Sequence, residues 1–74
     1  QAANTAKALD AAIPLLAREG LLCVTAYRGH EGGKEEAQAV AHWMHSRENK
    51  GDQIECHEPS ASNTPPILWV LRKG

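Results

Sequence analysis

The segment Tyr27-Arg28-Gly29-His30-Glu31-Gly32-Gly33-Lys34 gathers three glycines, an imidazole, a phenol and an ammonium within eight positions. Imidazole changes charge near neutral pH, so His30 can face a substrate base, order a phosphate or relay a proton. Gly32 and Gly33 leave main-chain amides uncovered where a helical pattern begins, and such amides attract anions. Tyr27 ends an apolar run and can touch substrate at its rim. Each residue also has a plain structural alternative. His30 can be a turn residue bonded to local backbone, Gly32 and Gly33 a simple helix entry, and Tyr27 a core or rim aromatic. Glu31 repels a phosphate at the same place, and Lys34, which can offset that charge, reads more simply as a solvated lysine.

The elements around this loop say where it must lie. The seven residues Leu21–Tyr27 are apolar or β-favouring without interruption. That pattern reads as a strand buried on both faces, as in parallel sheets. Loops at the carboxyl ends of such strands are where α/β proteins place ligands. Ahead of it, Leu9, Ala12, Ile13 and Leu16 follow helical spacing between Thr5 and Glu19. Asn4 or Thr5 is the expected N-cap and Gly20 the expected left-handed residue at the end. Pro14 removes one helical hydrogen bond and predicts a kink near Ile13, or two short helices. A second helix is expected from about Gly33 to Arg47, with Ala37, Val40, Ala41 and Met44 as its stripe and Trp43 on the flank. Gly51 ends it. Gln53–His57 alternates, with Ile54 and Cys56 on one face, and a Pro/Ser/Asn loop over 58–66 leads to the apolar strand Ile67–Leu71.

The order is therefore α-β-α-β-β. If the sheet keeps growing in one direction, right-handed crossovers place both helices on one side of it, leaving a bare side with Leu, Val and Trp facing water. Something outside this chain should cover that side. The alternative, helices on opposite faces, stays open.

Composition narrows the function classes. Seventy-four residues with a net charge of −1 make one small domain or part of a larger one. That charge gives no overall nucleic-acid footprint. Two cysteines without a Cys-x-x-Cys pair give no zinc framework. His42 and His45 stand at i, i+3 without a third ligand, so no metal is expected. Cys23 reads as a small buried hydrophobe, and Trp43 and Trp69 as packing residues. No apolar run reaches a membrane span and no signal peptide is evident, so we expect a cytoplasmic protein. Gln1 is not a natural start, which suggests a chain trimmed from something longer.

Leu15-Leu16-Ala17-Arg18-Glu19-Gly20-Leu21-Leu22 resembles the helix-to-strand junction before the fifth strand of class I S-adenosylmethionine-dependent methyltransferases. Tyr27-Arg28-Gly29-His30-Glu31-Gly32-Gly33-Lys34-Glu35-Glu36, with Asn63-Thr64-Pro65-Pro66-Ile67, resembles the carboxyl-terminal half of the putative rRNA methylase family. The resemblance covers essentially the whole chain. Glu19 departs from it where glycine is frequent, and Ile67 where an aromatic is common.

The resemblance implies a Rossmann-like α/β sheet of which residues 1–74 form a single partial domain, the final strand antiparallel and inserted between the other two. It implies methyl transfer from S-adenosylmethionine to RNA, with the aminomethyl group of the tRNA wobble uridine as the family's acceptor. In that family frame His30 is the catalytic candidate, and Tyr27, Gly32, Gly33 and Asn63 are the substrate-binding ones. The cofactor loop of such enzymes lies in the amino-terminal half. No Gly-x-Gly-x-Gly follows a strand here, so the isolated chain should bind no S-adenosylmethionine. The expected partners are the missing amino-terminal half or a second copy on the bare face, and RNA for the parent enzyme. The Asn63–Pro66 motif precedes the last strand, so the acceptor-holding role of the similar motif in amino-group methyltransferases does not carry over. A rigid loop, with a cis X-Pro bond as one option, is the expected reading. The competing functional class is a non-enzymatic α/β module that pairs through its bare face.

Overall fold

A computed structural model describes residues 2–27, 32–58 and 66–74. Helix α1 (Ala2–Ala12) passes into a 3-10 turn (Ile13–Leu15), followed by β1 (Leu21–Ala26), α2 (Gly33–Asn49), β2 (Gln53–His57) and β3 (Ile67–Arg72). The change of helix type falls where Pro14 requires it. Pro14 sits in the first turn of the 3-10 segment, where its missing N–H costs nothing. Asn4 and Thr5 lie inside α1 rather than capping it, because the helix already begins at Ala2.

The three strands form one sheet in the order β1-β3-β2, with β3 antiparallel to both neighbours. This is the inserted antiparallel strand that the family resemblance implied. Register fixes the two faces. Leu22, Leu71 and Ile54 share one row across the sheet, and Val24, Trp69 and Cys56 the next. This face packs against α2, and α1 packs on α2. Leu9, Ile13, Val40, Trp43, Met44, Ile67, Trp69 and Leu71 form the core, with Met44 and Leu71 fully buried. Each such side chain contributes about 1.5–3 kcal/mol on burial.

The opposite rows are Leu21–Arg72–Gln53, Cys23–Val70–Glu55 and Thr25–Leu68–His57. They are bare: Leu21 is 52% exposed and Leu68 37%. The sheet is thus covered on one side only, as the crossover argument requires, and β1 is not buried on both faces within this chain. Two details correct the sequence reading. Trp69 lies on the helix face, not the bare one, since its register partner Val24 does. Cys23 is exposed, because it alternates with the helix-facing Leu22 and Val24.

The junction before β1 also differs from expectation. Glu19, not Gly20, takes the left-handed conformation, with φ of 66°. Gly20 is required for space instead: a Cβ there would stand 2.8 Å from the Ala17 carbonyl oxygen.

Candidate functional site

The described ends of the two sequence motifs, Tyr27 and Pro66, meet at the carboxyl edge of β1. The last pair of the β1–β3 ladder is Ala26 with Ile67, so the chain leaves β1 at Tyr27 beside the point where Pro66 enters β3. The Tyr-x-Gly-His loop and the Asn-x-Pro-Pro loop are therefore attached to the same edge. Tyr27 is 62% exposed there, which makes it a rim residue and not a core one. His30 and Asn63 lie outside the described residues.

Gly32 provides the turn into α2. Its φ of 79° is a left-handed conformation that glycine adopts at little cost, and its carbonyl accepts the first helical bond from Glu36 N–H at 3.1 Å. Its N-cap residue, being glycine, contributes no side-chain bond to this helix end. Gly33 is buried directly behind it. Helix-start amides attract anions, while Glu35 and Glu36 in the first turn already supply negative charge to the dipole. The described edge is thus a rim of one phenol, main-chain amides and carboxylates. It can position a polar or aromatic substrate.

The other candidates are dispersed. Among the described residues no group of three His, Cys, Asp or Glu side chains could hold a metal. His45 meets the edge of the Trp69 ring at 6.0 Å between centroids, which accounts for it as a packing neighbour. Cys23 and Cys56 lie on opposite faces of strands separated by β3. Burial and the nearby Glu58 charge push the Cys56 thiol up from its ordinary value.

At the opposite edge the structure assembles polar groups that spacing alone did not reveal. Arg47 Nε donates to Asp52 Oδ2 at 2.6 Å, and the Gly74 amide donates to Asp52 Oδ1 at 3.0 Å. Lys73 Nζ donates to the carbonyls of Ile13 and Leu16 at 3.1 and 3.0 Å, closing the 3-10 turn. Arg18 and Arg72 stand in the same region. The available signal was the position of Arg18 shortly before β1 and of Arg72 and Lys73 at the close of β3, which an inserted antiparallel strand brings together.

The sequence model of the family described as "Putative rRNA methylase" matches residues 1–72. The chain belongs to this family. Among solved structures it is similar to a putative rRNA-methylase from Clostridium thermocellum, with a TM-score of 0.88 and 28% identity. The similarity covers 100% of this chain and 40% of that one, so the chain spans well under half of its structural relative. The search of curated proteins found no match. The α/β segment with its inserted antiparallel strand is therefore methyltransferase-related. No helix among the described residues is long and apolar enough to cross a membrane.

Proposed function

We propose that this chain is the carboxyl-terminal, substrate-side segment of an S-adenosylmethionine-dependent methyltransferase acting on RNA. The observation that carries the reading is the family match over residues 1–72, on a fold that aligns in full with 40% of a putative rRNA-methylase. The methyl donor is held by residues outside this chain. What these residues contribute is placement of the acceptor at the carboxyl edge of β1, where fixing two reactants in line removes much of the barrier to transfer. His30, Tyr27, Gly32, Gly33 and Asn63 are the residues assigned to that task, with His30 closest to the chemistry.

The bare sheet face supports the same reading. A face with Leu21 and Leu68 exposed is what remains when the covering layer lies in another segment. A stand-alone module that self-associates through this face is the competing class.

Two measurements decide. Calorimetric titration of the isolated chain should show no micromolar S-adenosylmethionine binding, and such binding would sink the segment reading. In the longer protein, His30→Ala should lower methyl transfer to RNA and leave cofactor affinity nearly unchanged. Normal turnover by the folded variant removes His30 from the site.

A further inference from the structure

We propose that the amino-terminal edge of β1, remote from the candidate site, is a second contact for RNA: a phosphate site formed by Arg18 and Arg72 with Lys73 beside them. The inference rests on the RNA reading above and adds a place where the backbone is held.

The topology makes this cluster. β3 runs antiparallel to β1, so its end returns to the start of β1 and Leu21 pairs with Arg72. The pairing continues outward, with Lys73 N–H donating to the Gly20 carbonyl and Glu19 N–H to the Lys73 carbonyl, both at 2.9 Å. Arg18 precedes that junction. These cations line a hollow of about 200 Å³ against the turn at Gly51, with Glu19 as the one acidic side chain in the lining. Arg18, in the turn before β1, and Arg72, in the outermost row of the bare face beside Leu21 and Gln53, are exposed in this chain and take part in no ion pair among the described residues. Lys73 is anchored by the two carbonyls it caps. Its ammonium has three donors, and those bonds use two of them.

Charge is segregated along the sheet. The carboxyl edge carries Glu35, Glu36 and Glu58 against Lys34. The amino edge carries Arg18, Lys50, Arg72 and Lys73 against Glu19 and Glu48, while Arg47 and Asp52 neutralise each other. Six paired residues separate the edges by about 17 Å. A polyanion whose reacting base lies at the acidic edge finds its counter-charge at the other. Guanidinium groups match phosphate oxygens with two parallel hydrogen bonds, and phosphate contacts supply most of the sequence-independent affinity for nucleic acid.

The test uses the full-length protein and total tRNA as probe, with binding followed from 50 to 200 mM salt. Loss of two phosphate contacts in Arg18→Gln/Arg72→Gln should reduce the slope of log affinity against log salt by about 1.4–1.8. Arg18→Gln alone, in a loop before the strand, should reduce it by about half as much, and Lys34→Gln at the carboxyl edge should not reproduce the change. An unchanged slope in the folded double variant overturns the proposal, including the case where the hollow receives an acidic protein surface instead. Wild-type methyl transfer to RNA, assayed in parallel, separates the failures. Transfer with an unchanged slope refutes only the phosphate site, whereas neither transfer nor tRNA binding refutes both readings.

Discussion

Trp43 Nε1 donates to Asp10 Oδ1 at 2.7 Å, joining α2 to α1 across 33 residues of sequence. The indole ring is buried among Leu9, Ile13 and Met44, while Asp10 stays exposed at the seam. A buried indole N–H needs a partner, and a carboxylate acceptor makes the bond stronger than a neutral one. Trp69 shows the contrast: its buried Nε1 has no partner among the described residues.

Asp10→Ala should therefore cost about 1–3 kcal/mol, because it leaves the Trp43 N–H unsatisfied. Trp43→Phe should cost less than Trp43→Ala, for which loss of the ring gives about 3–5 kcal/mol. Urea midpoints of Asp10→Ala, Trp43→Phe and the double variant check this. Strict additivity of the two single changes would show that the hydrogen bond contributes nothing.

Asp52 sets an acid limit. Burial opposes its ionisation, but the Gly74 amide, the Arg47 guanidinium and the Lys73 charge outweigh burial and hold its carboxyl below the ordinary 3.8. The unfolded chain therefore takes up this proton first as pH falls. The stabilisation is complete well above pH 4 and is lost as pH drops below 3.8 toward the folded value. Asp52→Asn should lower stability by about 2–3 kcal/mol at pH 7, since Arg47 loses its charged partner. The difference from wild type should shrink at pH 3. A gap of the same size at pH 7 and pH 3 would remove Asp52 as its source.

How much was legible in advance follows from the range of each interaction. Helix stripes such as Val40 and Met44, the break at Pro14 and the strand alternation of Ile54 and Cys56 depend on local spacing, and all were readable. The one-sided sheet followed from crossover handedness, and the strand order from the family resemblance. What spacing could not give was long-range pairing. Lys73 meets the carbonyls of Ile13 and Leu16 only because β3 returns to the start of β1. Cys23 looked buried because an unbroken apolar run does not reveal that one face lacks a cover. The catalytic assignment of His30, and Asn63 with it, rests on resemblance, as both lie outside the described residues.

The Glu19–Gly20 pair tests the junction before β1. Glu19 holds a left-handed φ of 66°, which costs a residue with a Cβ about 1–2 kcal/mol. Glycine removes that strain but adds freedom to the unfolded chain, so Glu19→Gly should stabilise by a net gain of roughly 0.5–1 kcal/mol. Gly20→Ala should destabilise instead, because its Cβ meets the Ala17 carbonyl oxygen at 2.8 Å and that oxygen also accepts the Gly20 N–H. Thermal melts of both variants give the signs directly. Destabilisation by Glu19→Gly would mean that its side chain contributes more than its backbone strain costs.

The two cysteines report on the bare face. Cys23 lies on it beside Val70, and Cys56 faces the helix side beside Trp69. β3 separates their strands, so two strand spacings of about 4.8 Å keep their backbones near 9–10 Å apart, beyond the reach of a disulfide. Both should remain thiols and both are exposed to reagent in this chain. Thiolate is the reactive form, and Cys56, whose thiol is pushed up by burial and Glu58, should label faster as pH rises from 7 to 9. In a longer protein whose additional segment covers the bare face, Cys23 should become protected while Cys56 keeps its rate. Mass-resolved alkylation of the isolated chain and the longer protein makes the comparison. Equal Cys23 rates in the two would show that the added segment leaves this face open, and concentration-dependent protection in the isolated chain would assign the cover to a second copy.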